Sequence, residues 1–288
     1  MTPASVTAFC PGHISGYFKR IDGHKPQVTG SIGAGIVIDE GVRVSISRAK
    51  NSSIAIRTLD PSGVLIDEAH DSPPLATALS RIGVTAAVTT TCRLPIGAGF
   101  GLSAAALLAT LAAANQMFGC GLSPEELAEI AHETEVLHKT GLGDVAACQG
   151  GGRVVRTGPG IGGPILRHFD MPHPIYAVSF GPIPTPSVLG SPSQMQLVTA
   201  AFPKVTPQNV EEFFRCSREF SDVSGLETPE VKNVLAVCDR HHVPASMTML
   251  GNGVFAYGSS AEPVLAVFGR VFRMQMAQKG VRVEEDTS

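Results

Sequence analysis

The run Leu94-Pro95-Ile96-Gly97-Ala98-Gly99-Phe100-Gly101-Leu102-Ser103-Ala104-Ala105 decides how this chain is read. Glycine stands at every second position from 97 to 101, and an alanine-rich stretch follows without a break. A loop whose residues lack Cβ atoms can turn several backbone N–H groups toward one point. A helix behind it adds free amides and roughly half a positive charge at its N-terminus. The spacing predicts a phosphate cradle built from Pro95, Gly97, Ala98, Gly99, Gly101, Ser103 and Ala104. Ser103, in the first helical turn, can offer its hydroxyl to a phosphate oxygen or a metal ion. The same letters would also serve as a turn before a packing helix, and the Gly-Lys-Ser/Thr ending of a P-loop is missing. The flanking sequence has to decide.

Downstream, a helix is expected from about 102 to 118, ending at Gly119-Cys120-Gly121. Ser123-Pro124-Glu125-Glu126 opens another with a capping box and proline at the first helical position, running to about Lys139. Upstream, residues 5–10 read as a strand and 11–18 as the loop after it. Apolar–polar alternation over 35–46 and 53–59 predicts antiparallel strands around Asp39-Glu40-Gly41. Residues 75–82 read as a helix and 84–91 as a strand. The glycines at 150–152 and the run 158–164 mark turns and a junction, which gives two domains, 1–165 and 166–288. Beyond it, 175–180 reads as a strand and 207–223, 229–242 and 263–279 as helices, with short strands at 245–250, 253–258 and 281–285. The fold class is α+β.

With 288 residues and a net charge of −3, the chain can bury a large core and carries no basic footprint for nucleic acid. Its six cysteines lie far apart, mostly in apolar runs where free cysteine packs as a small hydrophobe. Met1-Thr2-Pro3 has no basic leader, and the most apolar stretch, 104–114, is too short for a bilayer span. The expectation is a cytoplasmic protein with no membrane contact; a homodimer stays open.

The spacing P-x-G-x-G-x-G-x-S-A-A resembles the ATP-binding motif of the GHMP kinases. Pro11-Gly12-His13-Ile14-Ser15-Gly16-Tyr17-Phe18 is similar to that family's first motif, and Met249-Leu250-Gly251-Asn252-Gly253-Val254-Phe255-Ala256 to its third. Leu102 departs from the usual paired serines, leaving Ser103 the only hydroxyl at that turn; the third motif has Asn252 and few glycines. The runs 29–35, 95–101 with Phe100, and Thr140-Gly141-Leu142-Gly143-Asp144-Val145 are similar to the archaeal branch of the family that phosphorylates pantoate. The resemblance implies a two-domain GHMP kinase-like fold, with a ribosomal-protein-S5-domain-2-like first half and a ferredoxin-like second half. It also implies ATP and Mg²⁺ as cofactors.

By motif position the resemblance assigns Glu135 and Ser103 to Mg²⁺ and Asp144 to the acceptor hydroxyl. Glu133 is the second candidate for the metal. His132, Glu135 and Lys139 share one helical stripe that leads into the loop before Asp144. A small carboxylate acceptor calls for a bidentate arginine or a set of donors. Arg156 is preferred to Arg153 for that, with His132 nearby and Ser31 and Thr185 as hydroxyl candidates. His13 reads equally as a loop stabiliser. Another acceptor (mevalonate, homoserine or a sugar) and a non-catalytic nucleotide-binding relative are the competing expectations.

Three other signals carry less. His132-Glu133-Thr134-Glu135-Val136 lacks the second histidine of a zincin helix. Cys238-Asp239-Arg240-His241-His242 has no second cysteine pair for zinc, and histidines suit a helix C-terminus. Phe100-Gly101-Leu102-Ser103-Ala104 is not a Gly-x-Ser-x-Gly nucleophile elbow.

Overall fold

A long antiparallel hairpin frames the first half of the protein, which a computed structural model describes over residues 4–284. Strands β1 (Ser5–Ile21) and β2 (Gly30–Arg48) form it, joined through a 3-10 turn at Pro26–Val28. The first motif is thus strand rather than loop. Residues 11–14 and 16–18 are all buried, so this part of the strand is covered on both faces and lacks the alternation that marks a half-exposed strand. Asp39-Glu40 is likewise a bulge rather than a turn. Pro11 faces Gly41 while Gly12 faces Ile38, so β2 runs straight through.

Next come β3 (Ser53–Leu59), β4 (Leu65–His70), α1 (Pro73–Arg81) and β5 (Ala86–Cys92). β3 pairs in parallel with β5, not antiparallel to β2 as the alternation suggested. Then follow α2 (Leu102–Phe118), α3 (Pro124–His138), α4 (Asp144–Cys148), β6 (Arg153–Arg156) and β7 (Ile165–His168). The alanines of α2 let it sit centrally against β1, β2 and α3, apolar almost all round, as a core helix must be.

The second half holds β8 (Ile175–Pro182), α5 (Thr185–Leu189), α6 (Pro192–Ala201), α7 (Val210–Val223) and α8 (Pro229–Arg240). It closes with β9 (Ala245–Met247), β10 (Gly251–Tyr257), α9 (Ala261–Ala266), β11 (Phe272–Met274) and β12 (Arg282–Glu284). The antiparallel sheet order β11-β8-β10-β9 is that of a ferredoxin-like β-α-β-β-α-β unit. Helices α5 and α6 lie in a segment where no element was expected.

The helix expected over 263–279 stops at Ala266. Residues Phe272–Met274 instead add β11 to the edge of β8, and pairing that edge outweighs local periodicity. β12 returns to pair with β1, and β7 pairs with β6. The division at 165/166 therefore does not follow sheet membership, because the first sheet takes strands from both sides of it. Among the described residues no helix is long and apolar enough to cross a membrane. Met1–Pro3, where the absence of a leader was read, and the end of the 281–285 strand lie outside the described residues.

Candidate active site

The loop between β5 and α2 folds as its glycines demand. Gly97, Gly99 and Gly101 have φ of 77°, 84° and 62°, and α2 starts at Leu102 with no side chain capping its free amides. Gly97, Gly99, Gly101 and Ser103 line a cavity of about 430 Å³. Ala98 and Ala104 bury their side chains in the core and can offer only backbone, while Pro95 lies outside the lining. The other two motifs back the loop. The His13 N–H donates to the Phe100 carbonyl at 2.9 Å, and a Cβ on Gly251 would lie 2.1 Å from the Ala98 carbonyl carbon.

Helix α3 buries a carboxylate, that of Glu135, behind the lining of the same cavity and beside Thr140, which does line it. Its capping box forms as expected, with the Glu126 N–H donating to Ser123 Oγ and the Ser123 N–H to Glu126 Oε2. Glu135 points inward and is buried. Thr140 Oγ1 donates to its Oε1 at 3.3 Å, while its Oε2 has no partner among the described residues. Burial, then the charge of Asp144, pushes Glu135 up to about 8, against the pull of hydrogen bonds from Ser103 and Thr140. Glu133 turns away and is held by Arg81 and Gln27. Of the two glutamates, Glu135 is the one that turns inward.

The Gly-Leu-Gly-Asp run has a steric reason. A Cβ on Gly141 would sit 2.2 Å from Glu135 Oε2, and one on Gly143 only 1.3 Å from Arg156 Nη1. The bare backbone makes room for a carboxylate and a guanidinium. Asp144 then opens α4, and its Oδ1 accepts from His13 Nδ1 at 2.7 Å. Burial pushes the Asp144 carboxyl up, but the His13 hydrogen bond and the positive charge of Arg156 outweigh it and hold it below its ordinary value. Burial pulls His13 below the usual imidazole range. A neutral His13 beside an ionised carboxylate must carry its proton on Nδ1, since the carboxylate only accepts.

Arg156 on β6 is buried, and its Nη1 donates to the Ser31 carbonyl at 3.2 Å and to Ser31 Oγ at 2.9 Å. Its Nε has no partner among the described residues. Arg156, Ser31, Thr185 and Asp144 all line the cavity. His132 does not. Its Nε2 is spent on the Thr29 carbonyl at 2.8 Å, so it braces the turn before Ser31 instead of reaching an acceptor. Arg153 is taken up by Asp170 and the Pro207 and Gln208 carbonyls.

Two residues that sequence reasoning left aside belong here. His13 holds Asp144; residues 11–18 read as a loop and carry no alternation, so it is the pairing of β1 with β2 that buries its side chain. Arg167 on β7 donates to the carbonyls of Ala146, Ala147 and Gly151 at 2.8–2.9 Å, clamping the C-terminal end of α4. Nothing in the local sequence marks it. Among the described residues, no group of three or more His, Cys, Asp or Glu side chains is placed to hold a metal.

Comparison with known proteins agrees with this geometry. Residues 73–152, from α1 to the turn before β6, match the model for the GHMP kinases N terminal domain. A pantoate kinase from Methanospirillum hungatei is 50% identical over 275 residues, covering 96% of this chain and 95% of that protein. The chain belongs to the pantoate kinase branch of the GHMP kinase family. A pantoate kinase from Methanocaldococcus jannaschii is 29% identical over 86% of this chain and 90% of its own length. Among solved structures, a phosphotransferase related to the CoA biosynthesis pathway superposes with a TM-score of 0.80 over 99% of this chain and all of that one, at 23% identity. The glycine loop, Asp144 and Arg156 line the same cavity.

Proposed function

We propose that the protein transfers the terminal phosphoryl group of ATP to the primary hydroxyl of pantoate, giving 4-phosphopantoate for coenzyme A synthesis. One observation carries the reading. The glycine cradle and the Asp144, Arg156 and Ser31 side chains line a single cavity, in a chain half identical to a pantoate kinase. The cradle amides receive the phosphates, and Arg156 with Ser31 receives the acceptor carboxylate through charge-assisted hydrogen bonds. Asp144 faces the primary hydroxyl.

In the transfer, the hydroxyl oxygen bonds to the γ-phosphorus as the bond to the departing ADP oxygen breaks, and the hydroxyl proton passes to Asp144. A loose transition state leaves that proton in place until the new bond is well formed, so a carboxylate of low basicity suffices. Neutral His13, donating through Nδ1, fixes one Asp144 oxygen and leaves the other for the acceptor. Glu135 and Ser103 would hold Mg²⁺: the unpartnered Oε2 and the Ser103 hydroxyl are hard oxygen donors, few enough to leave room for phosphate oxygens and water. When bound, the ion neutralises charge on the phosphates. ATP and a small hydroxy acid are substrates of the cytoplasm, where we place the reaction.

The test is ADP release and product identification by phosphorus NMR with ATP, Mg²⁺ and a panel of pantoate, mevalonate, homoserine and sugars. Preference for pantoate at the primary hydroxyl is expected. Preference for any of the others overturns the reading.

A further inference from the structure

We infer that Phe18, Leu142 and Leu189 form an apolar wall that selects acceptors bearing a methyl-branched carbon between the carboxylate and the reacting hydroxyl. The inference rests on the pantoate reading above and adds the residues that distinguish this acceptor from its unbranched counterparts. Pantoate carries two methyl groups on the carbon between its hydroxylated C2 and its primary alcohol. With the carboxylate at Arg156 and Ser31 and the alcohol at Asp144, that quaternary carbon faces whatever lies between those polar anchors.

Three elements bring apolar side chains there. In the first sheet Arg156 pairs with Gly33, and Gly33 pairs with Phe18, so arginine and phenylalanine flank one bare glycine in a row across β6, β2 and β1. Leu142 lies two residues before Asp144, with its carbonyl over the turn at Gly30 that leads to Ser31. Leu189 lies one helical turn after Thr185 on α5, so both can present to the same side, and both line the cavity. Arg20 Nη1 donates to the Leu189 carbonyl at 3.3 Å and ties that end of α5 to β1, two residues from Phe18. All three side chains are more than nine-tenths buried, yet all three border the cavity. None offers a hydrogen bond. An unbranched hydroxy acid would leave that surface without contact, whereas two methyl groups would fill it.

One methylene in an apolar pocket is worth about 10–200-fold in discrimination. The experiment compares kcat/KM for pantoate and for 2,4-dihydroxybutanoate, which lacks both methyls, in the wild-type protein and in Phe18→Ala and Leu189→Ala. Wild type should prefer pantoate by about 10²-fold. Each variant should narrow that ratio about tenfold, mainly by losing pantoate, with the KM for ATP unchanged. Phe18 also packs near Phe220, with centroids 6.1 Å apart; if its variant does not fold, Leu189→Ala on the short α5 carries the test. Equal use of the two acceptors by wild type, or loss of both by the same factor in the variants, overturns this inference alone. Phosphorylation of neither acceptor overturns the pantoate reading together with it.

Discussion

The two ends of the cavity are built in opposite ways. The end proposed for the nucleotide is one contiguous loop and the first turn of α2, and it offers backbone amides whose direction is set by glycines in the left-handed region. The end proposed for the acceptor draws Ser31 from β2, Asp144 from α4, Arg156 from β6 and Thr185 from α5, and it offers side chains. Amides can receive any triphosphate, so the cradle alone identifies a phosphate-handling protein. Side chains gathered from four elements can fit one acceptor, and on the proposed reading substrate choice resides in how those elements pack. The bonds that hold the acceptor end in register, His13 to Asp144, Arg156 to Ser31 and His132 to Thr29, all span distant parts of the chain.

If the two ends are separable, substitutions should divide cleanly between them. The largest effect is expected from Asp144→Asn, which keeps the shape and removes the proton acceptor. Turnover should fall by about 10²–10⁴-fold with nucleotide binding intact, as read by calorimetry with a non-hydrolysable ATP analogue. Near-normal turnover would show that no base is needed. Arg156→Ala should come next. Loss of a buried charged donor to a carboxylate is worth about 10–150-fold, and it should appear in the KM for pantoate while the KM for ATP stays put. A parallel rise in both constants would break the division.

Gly99→Ala probes the other end. Its φ of 84° is costly for any residue with a Cβ, and that atom would lie 2.9 Å from the Met249 carbonyl. A strain of about 1–2 kcal/mol should raise the KM for ATP about tenfold, with the pantoate KM nearly unchanged. Equal effects on the two substrates would mean that the loop shapes the acceptor end as well.

The smallest effect concerns the carboxylate at the boundary. Glu135 is pushed up to about 8, so the folded protein without metal keeps a proton there that the unfolded chain gives up at ordinary glutamate pH. That group's contribution to stability is full below the ordinary value and is lost as pH rises through about 8. A divalent ion needs the ionised form. Mg²⁺ affinity should therefore rise by up to tenfold per pH unit below about 8 and level off above it. Titration of Mg²⁺ in two buffers of different ionisation enthalpy should show release of up to one proton, absent in Glu135→Gln. A flat pH profile in wild type would remove Glu135 from the metal.

The same contrast explains what could be read in advance. The left-handed glycine loop, α2, the capping box of α3 and the strand at β8 follow from local spacing and caps, and the structure keeps these elements nearly residue for residue. Glu135 and Asp144 came from motif resemblance, and their neighbourhood explains the glycines between them. His132 was misplaced as an acceptor contact because helical spacing gives a face but not the carbonyl that the face meets. The 263–279 segment was misread for a related reason, since a strand at 272–274 exists only because β8 offers an edge. Arg167 could not be foreseen, because the carbonyls it clamps belong to residues on another element.

By itself, the sequence determined that this chain has a loop of left-handed glycines backed by a helix, since both depend on glycine stereochemistry and amides within a dozen residues. It also determined the α+β class, through alternation and capping. Only the tertiary structure decided that His13 holds Asp144, that Arg156 bonds Ser31, and that Glu133 turns away while Glu135 turns in. Those facts depend on contacts between segments far apart in the chain. Such contacts form when burial of the shared core brings β1, β2, α3 and β6 together, and no local pattern encodes which polar groups then meet.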